Sequence, residues 1–476
     1  MDLYARRSRH EAQLAALGQE HVLRFWDDLN DAQRSALLDD LDLVDIGQAV
    51  SAVREHLKGT AAAGVDFDKL APAEYWPATP NQTTQPLYDA AERLGERLLA
   101  EGKVAALTVA GGQGTRLGYD GPKGAFKVSP VREKPLFQLF AESILSAVRR
   151  YGRSIGWYIM TSPANDAATR AFFKSHSYFG LEPSDVVFFQ QGVMPAFDLQ
   201  GRLLLSERHR LALSPDGHGG TLLALARSGA LADMADRGVE HLSYFQVDNP
   251  LVYVLDRLFI GLHAQSGSEM SSKCLAKRDD LERVGNFALY EGRLVVIEYS
   301  DLPESLAHAK NPCGARRFDA GSPAIHVISR RFIERLTGSA RFGLPWHRAN
   351  KKVPCVDERG HIYAPSQPNG IKLESFIFDA LPLAEKPLIL QFERGEQFSP
   401  VKNAQGEDSP GTCQRDMVRR AARWLDKAGV AVPMRADGEP DALIEISPLL
   451  ATDAAELARN LARPTPIKRG AMVYLE

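Results

Sequence analysis

Val104-Ala-Ala-Leu-Thr-Val-Ala-Gly-Gly-Gln-Gly-Thr-Arg-Leu-Gly-Tyr-Asp-Gly-Pro-Lys-Gly-Ala-Phe-Lys-Val128 is the stretch from which the rest of the chain can be read. It opens with a short apolar run bounded by Gly102 and Gly111, which suits a fully buried strand better than a helix of ordinary length. Gly111, Gly112 and Gly114 lack a Cβ, so a turn with access to positive φ is expected here, its N–H groups free to lie against a ligand. Such a turn can hold a phosphate or the edge of a base. Arg116 and Lys123 follow, the lysine behind the stiff Pro122. Fixed cations beside a glycine turn suit a polyphosphate. A Walker A loop needs Gly-Lys-Ser/Thr, but Gly124 follows Lys123, and the dinucleotide pattern G-x-G-x-x-G puts Leu117 where its third glycine belongs. Neither an ATPase nor a dehydrogenase is indicated. The glycines alone read equally as a strand-to-helix turn with solvated charges; the arginine and the Pro-Lys pair favour phosphate.

The chain has 476 residues, enough for two or three domains. Its 44% hydrophobic and 25% charged content is that of an ordinary soluble protein. A net charge of −3 argues against a dominating nucleic-acid surface, though a local basic pocket remains compatible with it. Cys274, Cys313, Cys355 and Cys413 show neither metal-ligand spacing nor a C-x-x-C pair, and read as buried or idle thiols in a reducing cytosol. Residues 1–13 lack the apolar centre of a signal peptide, and no run approaches a membrane span. A cytoplasmic protein is expected, without membrane or nucleic-acid partners.

Residues 1–100 read as a helical segment packing on a catalytic domain. Val22, Leu23, Phe25, Trp26 and Leu29, then Ala36, Leu37, Leu38 and Leu41, recur at helical intervals, with Asn30-Asp31 as break and cap. Tyr75-Trp76-Pro77-Ala78-Thr79-Pro80 interrupts, and a helix resumes over 87–100. From Val104 onward strands alternate with helices: a helix after Pro135 ended by Gly152, strands over 155–160, 186–189 and 241–247, and a polar helix over 163–175. The expected fold is α/β, a mixed but mostly parallel sheet flanked by helices, with ligands beyond the carboxyl ends of its strands. The glycine turn, Gln191 and Asp248 fall at such ends. Residues 287–299 read as a hairpin turning at Glu291-Gly292, with Glu298 and Tyr299 on opposite faces of its second strand. Further strands are expected over 323–328 and 388–392. The catalytic domain spans 101–394, and a Gly- and Pro-rich passage leads into a small C-terminal α+β domain, 395–476.

Asp248 ends an apolar strand, where a carboxylate can hold Mg²⁺, a hard cation preferring oxygen ligands; by itself it reads sooner as a helix cap, and its place among the other motifs reverses that. Pro215-Asp-Gly-His-Gly-Gly220 is a second glycine-rich loop before a helix over 221–226, with His218 assigned no acid–base role. Taken singly, Lys372 and Lys402 read as surface lysines.

Ala110-Gly-Gly-Gln-Gly-Thr-Arg-Leu-Gly118 with Pro122-Lys-Gly124 resembles the opening motif of the nucleotidyltransferases that make nucleotide sugars, in particular the eukaryotic-type UDP-N-acetylhexosamine pyrophosphorylases. Similar segments run from Gln19-Glu-His-Val-Leu-Arg-Phe-Trp26 through Trp157-Tyr-Ile-Met-Thr-Ser162, Phe188-Phe-Gln-Gln-Gly192, Pro368-Asn-Gly-Ile-Lys-Leu-Glu-Ser-Phe-Ile-Phe-Asp379 and Phe398-Ser-Pro-Val-Lys-Asn403 to Glu445-Ile-Ser-Pro448. The resemblance implies a Rossmann-like, GT-A-like nucleotidyltransferase fold and the reaction of UTP with a sugar 1-phosphate to give UDP-sugar and pyrophosphate. It also implies roles. Arg116 would hold the leaving pyrophosphate, and Lys123, Lys372 and Lys402 the phosphates, with Arg116, Lys123 and Lys402 the catalytic set. Asp248 would hold the Mg²⁺ that bridges the phosphates, Mn²⁺ being an alternative. Gly111, Gly112, Gln191 and Gly217 would read uracil and ribose. His218, Gly285, Glu298, Tyr299, Ser322 and Lys402 would line the sugar pocket, with Phe376 and Phe378 as apolar lining. Members acting on N-acetylhexosamines usually carry asparagine where this chain has His218 and Ser322. The resemblance implies an N-acetylglucosamine or N-acetylgalactosamine 1-phosphate, and these two departures make glucose or galactose 1-phosphate the alternative. A catalytically silent UTP or UDP-sugar sensor and a P-loop kinase are the readings from other classes, disfavoured by the retained cations and by the missing Ser/Thr. A monomer or weak homo-oligomer is expected.

Overall fold

Val104–Val109 forms the expected strand, and every one of its side chains but the last is buried. In this computed structural model, which describes residues 3–59, 65–339, 342–461 and 466–476, it lies within a large mixed sheet. From one edge the order is Leu70–Pro72, Gly285–Tyr290, Ala320–Ser322, Met270–Ala276, His326–Ser329, His241–Gln246, Val104–Val109, Trp157–Thr161 and Val186–Gln190. Arg293–Ile297 joins alongside Gly285–Tyr290, and Leu388–Gln391 alongside Met270–Ala276. The last four strands of that order are parallel, as the helix-separated spacing predicts. The other half is antiparallel except where Met270–Ala276 meets Leu388–Gln391, and is larger than the spacing suggested. One of its ladders is the expected hairpin, turning at Glu291 and Gly292, both with positive φ, as a tight two-residue turn requires.

Helix Leu136–Tyr151 begins after Pro135 and ends at left-handed Gly152, as read from sequence. It buries Phe137, Phe140 and Ile144 against the sheet's Trp157 and Phe245 in the main core. Helix Asp166–Ser175 begins three residues later than expected.

The described chain divides into two compact units. The sheet and its helices belong to the unit of residues 69–190, 222–342 and 380–476, as does the C-terminal helix Pro410–Lys427 with its strand pair Ala442–Ile446 and Ala471–Leu475. The other unit gathers residues 1–68, 191–221 and 343–379. In it, helices Leu3–Ala16, Asp31–Leu43 and Ile46–Leu57 bury Leu37, Leu38 and Val50 with Phe197, Ile371 and Leu373 of short strands. Asn30 caps the second of these helices through a reciprocal bond with Gln33. The stretch expected to be helical also contains the strand Leu70–Pro72, while Met1, Asp2 and residues 60–64 of it lie outside the described residues.

No helix among the described residues is long and apolar enough to cross a membrane. All four cysteines are free thiols, Cys313 alone among them exposed.

Candidate active site

Strands Val104–Val109 and His241–Gln246 run side by side in register, Gln246 opposite Val109. The chain therefore leaves the sheet at neighbouring points toward Gly111 and toward Asp248. The glycine turn is tied down from outside. Ser162 Oγ donates to the Gly111 carbonyl at 2.8 Å, and Asn165 Nδ2 donates to the carbonyls of Ala110 and Gly112 at 2.8 and 3.2 Å. With their carbonyls held, the N–H groups of Gly111 and Gly112 have no partner among the described residues. These N–H groups are the donors a nucleotide can take.

The reason for glycine differs from the expectation. Positive φ occurs at Gly118 and Gly121, not at Gly111, Gly112 or Gly114. Gly114 is required by packing, since a Cβ there would lie 2.7 Å from the Tyr119 ring. Gly112 faces open space.

Lys123 stands in a short turn whose N–H bonds back to Gly112 O at 3.2 Å. Its Nζ lies 3.2 Å from Asp248 Oδ2, both side chains mostly buried. Burial works to raise the Asp248 carboxyl, but the charges of Lys123 and Lys402 and the Lys123 bond outweigh it and hold it below the usual carboxylate range. The Asp248 carboxyl is thus ionised at neutral pH. Val401 N–H donates to Asp248 O at 2.8 Å, so Lys402 follows directly on the aspartate's backbone. Lys402 Nζ lies 3.9 Å from Asp408, whose own carbonyl accepts the Lys402 N–H. Arg116 is exposed and makes no ion pair among the described residues. Among the same residues no cluster of three or more His, Cys, Asp or Glu could hold a metal unaided.

In the antiparallel half, Gly285 and Ser322 are cross-strand partners. A Cβ on Gly285 would lie 3.6 Å from Glu298 Oε1 and 3.7 Å from Ser322 Cβ, so the three converge. Ser322 Oγ is buried without a hydrogen-bond partner, an orphan that a ligand hydroxyl could satisfy. The hairpin strand ends at Ile297, so Glu298 and Tyr299 occupy the following turn instead of opposite strand faces. Glu298 O accepts the N–H groups of Asp301 and Leu302, which bends the chain away from the strand there. Tyr299 is exposed.

The other unit holds Gln191, Gly217, His218, Lys372, Phe376 and Phe378. Strands Val193–Pro195 and Leu213–Pro215 pair so that Asp216 N–H reaches Gly192 O at 3.2 Å. The loop after Asp216 packs on residues 375–378. Gly217 has φ 88°, and a Cβ there would lie 2.3 Å from Ser375 O. His218 Nδ1 accepts the Ile377 N–H at 3.1 Å, which leaves the proton of the neutral ring on Nε2. Its ring stacks on Phe376 at 5.2 Å and meets Phe378 edge-on at 5.8 Å. Burial, with His347 close by, pushes the His218 imidazole down to about 4. Lys372 sits in the strand Gly370–Glu374, opposite Ala349, and burial lowers its ammonium from the usual range.

Sequence reasoning missed Ser162, Asn165, Tyr119 and Asp408. Ser162 closes one of the segments that carried the resemblance, and Ser-Pro-Ala-Asn after a strand is a turn signal; nothing local says that its side chains clamp a glycine turn 50 residues earlier.

A family model described as UTP–glucose-1-phosphate uridylyltransferase matches residues 59–409. The UDP-N-acetylhexosamine pyrophosphorylase-like protein 1 of Mus musculus is 38% identical over 472 residues, covering 92% of this chain and 92% of its own. The UDP-N-acetylglucosamine pyrophosphorylase of Saccharomyces cerevisiae is 34% identical over 461 residues, covering 93% and 94%. Among solved structures, the uridine diphosphate N-acetylglucosamine pyrophosphorylase of Trypanosoma brucei, in complex with inhibitor, matches with TM-score 0.82 at 26% identity, covering 99% of this chain and 98% of that one.

Proposed function

This chain belongs to the UTP–glucose-1-phosphate uridylyltransferase family, and from that premise we propose that it joins UTP to an N-acetylhexosamine 1-phosphate, N-acetylglucosamine 1-phosphate first, releasing pyrophosphate. The observation that carries the reading is the Lys123–Asp248 ion pair beside a glycine turn with unpaired N–H groups, at the carboxyl ends of neighbouring parallel strands.

A phosphate oxygen of the sugar 1-phosphate attacks the α-phosphorus of UTP, and the bond from that phosphorus to the β-phosphate oxygen breaks. The nucleophile is already anionic, so no general base is needed. The obstacle is repulsion between two anions, and the chain's work is alignment and charge neutralisation. Lys123 and Lys402 hold the phosphates, Arg116 takes the leaving pyrophosphate, and the N–H groups of Gly111 and Gly112 hold the nucleotide. Asp248 would hold Mg²⁺, or Mn²⁺; its single ionised carboxylate suits a hard ion of the kind that keeps several waters, which when bound would supply further charge neutralisation. Gly285, Glu298 and the orphan hydroxyl of Ser322 are assigned to the sugar, with Tyr299 at the rim. In the other unit, Gln191 and Gly217 are assigned to uridine, Lys372 to phosphate, and His218, Phe376 and Phe378 to the sugar. We assign the protein to the cytoplasm as a monomer or weak homo-oligomer, without nucleic-acid partners.

The test is pyrophosphate release from UTP and Mg²⁺ with N-acetylglucosamine, N-acetylgalactosamine, glucose and galactose 1-phosphates in parallel. Release is expected with an N-acetylhexosamine. Faster release with glucose or galactose would reassign the sugar, and silence with all of them despite UTP binding would favour a sensor.

A further inference from the structure

The Glu445-Ile-Ser-Pro448 motif takes no part in the site described so far. It lies in the strand Ala442–Ile446, which runs parallel to Ala471–Leu475 with Glu445 opposite Tyr474. Side chains so paired leave the same face of a sheet.

That face grips the loop that begins at Lys123. Phe126 N–H bonds back to Lys123 O, Leu136 N–H bonds to Phe126 O, and Val128 and Ser129 N–H both bond to Lys134 O, which closes residues 126–136 into a narrow-necked loop. The neck stands three residues from Lys123. At the tip, Glu445 Oε2 accepts the N–H groups of Val131 and Arg132, both at 2.8 Å, and Glu445 as a whole is 2% exposed. Lys134, 6% exposed, donates to Glu142 at 2.6 Å and to Tyr474 Oη at 2.7 Å. The Arg132 guanidinium lies over the Tyr474 ring at 4.5 Å. Burial works against the Lys134 charge, but Glu142 and Tyr474 outweigh it and hold the ammonium above its usual range. A buried carboxylate and a buried ammonium are costly ways to fasten a loop, since an apolar contact of equal volume would stabilise as well or better. Polar fastening gives direction: each bond fixes where the loop tip lies.

We propose that Glu445 and Tyr474 form a latch through which the C-terminal strand pair fixes the Lys123 segment, and that Glu445 is a positioning residue for uridylyl transfer. The proposal rests on the reading of Lys123 given above.

A double-mutant cycle tests it in the full-length protein. Glu445→Ala should lower kcat/KM for UTP about tenfold, since small misplacements of an aligning group carry losses of that order. In a Lys123→Ala background the same change should have little effect, because the lysine that the latch positions is gone. Loss of thermal stability should be equal in both backgrounds. UTP affinity, measured alongside, keeps the cycle readable if Lys123→Ala turns over slowly. A tenfold loss that persists in the Lys123→Ala background, or an unchanged kcat/KM in Glu445→Ala, overturns the latch alone. A Lys123→Ala protein of normal activity overturns the site and the latch together. If Glu445→Ala does not fold, Tyr474→Phe keeps the ring and removes only the hydroxyl bond to Lys134; a fall in kcat/KM confined to the Lys123 background supports the latch, and none in either background contradicts it.

Discussion

Gly112 and Gly217 serve opposite ends in the two glycine-rich loops proposed above to meet the substrates. In the turn at 111–114, Gly112 has open space around it, and the turn's shape is imposed from outside by Ser162 and Asn165. In the loop at 216–220, Gly217 has no space at all: its φ of 88° and its contact with Ser375 O exclude any side chain. The first loop is bordered by Lys123, Asp248 and Arg116, the second by a neutral imidazole and two phenylalanine rings. A triphosphate is held by charge and exposed N–H groups, whereas a base or sugar is selected by shape and fixed donors. Gly112 therefore marks access, whereas Gly217, like Gly114 beside Tyr119, marks close packing.

The comparison can be broken first at its charged side. Lys123→Ala should lower kcat/KM by about 10²–10³-fold, as for other groups aimed at developing charge, with steady-state kinetics as the measure; the loss also leaves Asp248 partly buried beside one fewer cation. At the packed side, Gly217→Ala should destabilise its unit by about 3 kcal/mol through overpacking and strain, read by urea denaturation, while Gly112→Ala should stay within about 0.5 kcal/mol of the parent. Equal costs at the two glycines would erase the distinction. Asn165→Ala should cost about 1–2 kcal/mol through the unpaired carbonyls of Ala110 and Gly112. It should also raise KM for UTP more than it lowers kcat, since the turn would lose its shape and keep its cations.

A further effect concerns pH. His218 titrates near 4 when folded, against about 6.5 in an unfolded chain. Between those values the unfolded chain binds a proton that the folded one refuses. The contribution of the neutral ring is therefore complete above pH 6.5 and is lost as pH falls toward 4. His218→Asn should flatten the fall in urea midpoint between pH 6.5 and 4.5, and an unchanged slope would place the titration elsewhere.

How far the sequence could be read follows from how local each signal is. The strand at 104–109, the helix between Pro135 and Gly152 and the Asn30 cap are written in neighbouring residues, and each stands where the pattern puts it. The antiparallel half of the sheet was less legible, because its strands come from distant stretches and obey no helix-separated rhythm. The gathering of 1–68, 191–221 and 343–379 into one unit leaves no mark in composition or period at all. At the site, Lys123 and Asp248 could be named from motif and strand end, but their 3.2 Å contact depends on a register between strands more than 130 residues apart. Glu298 was placed on a strand because the apolar run Leu294 to Ile297 leads straight up to it; the turn that begins there is set by its carbonyl, which accepts two N–H groups.

The most direct test runs the reaction backwards. UTP formation from UDP-N-acetylglucosamine and pyrophosphate, measured for the parent protein and for Lys123→Ala side by side, should be ready in the first and roughly 10²-fold slower in the second. No UTP from the parent protein, or equal rates from both, would contradict the assignment of Lys123 and its glycine turn to uridylyl transfer.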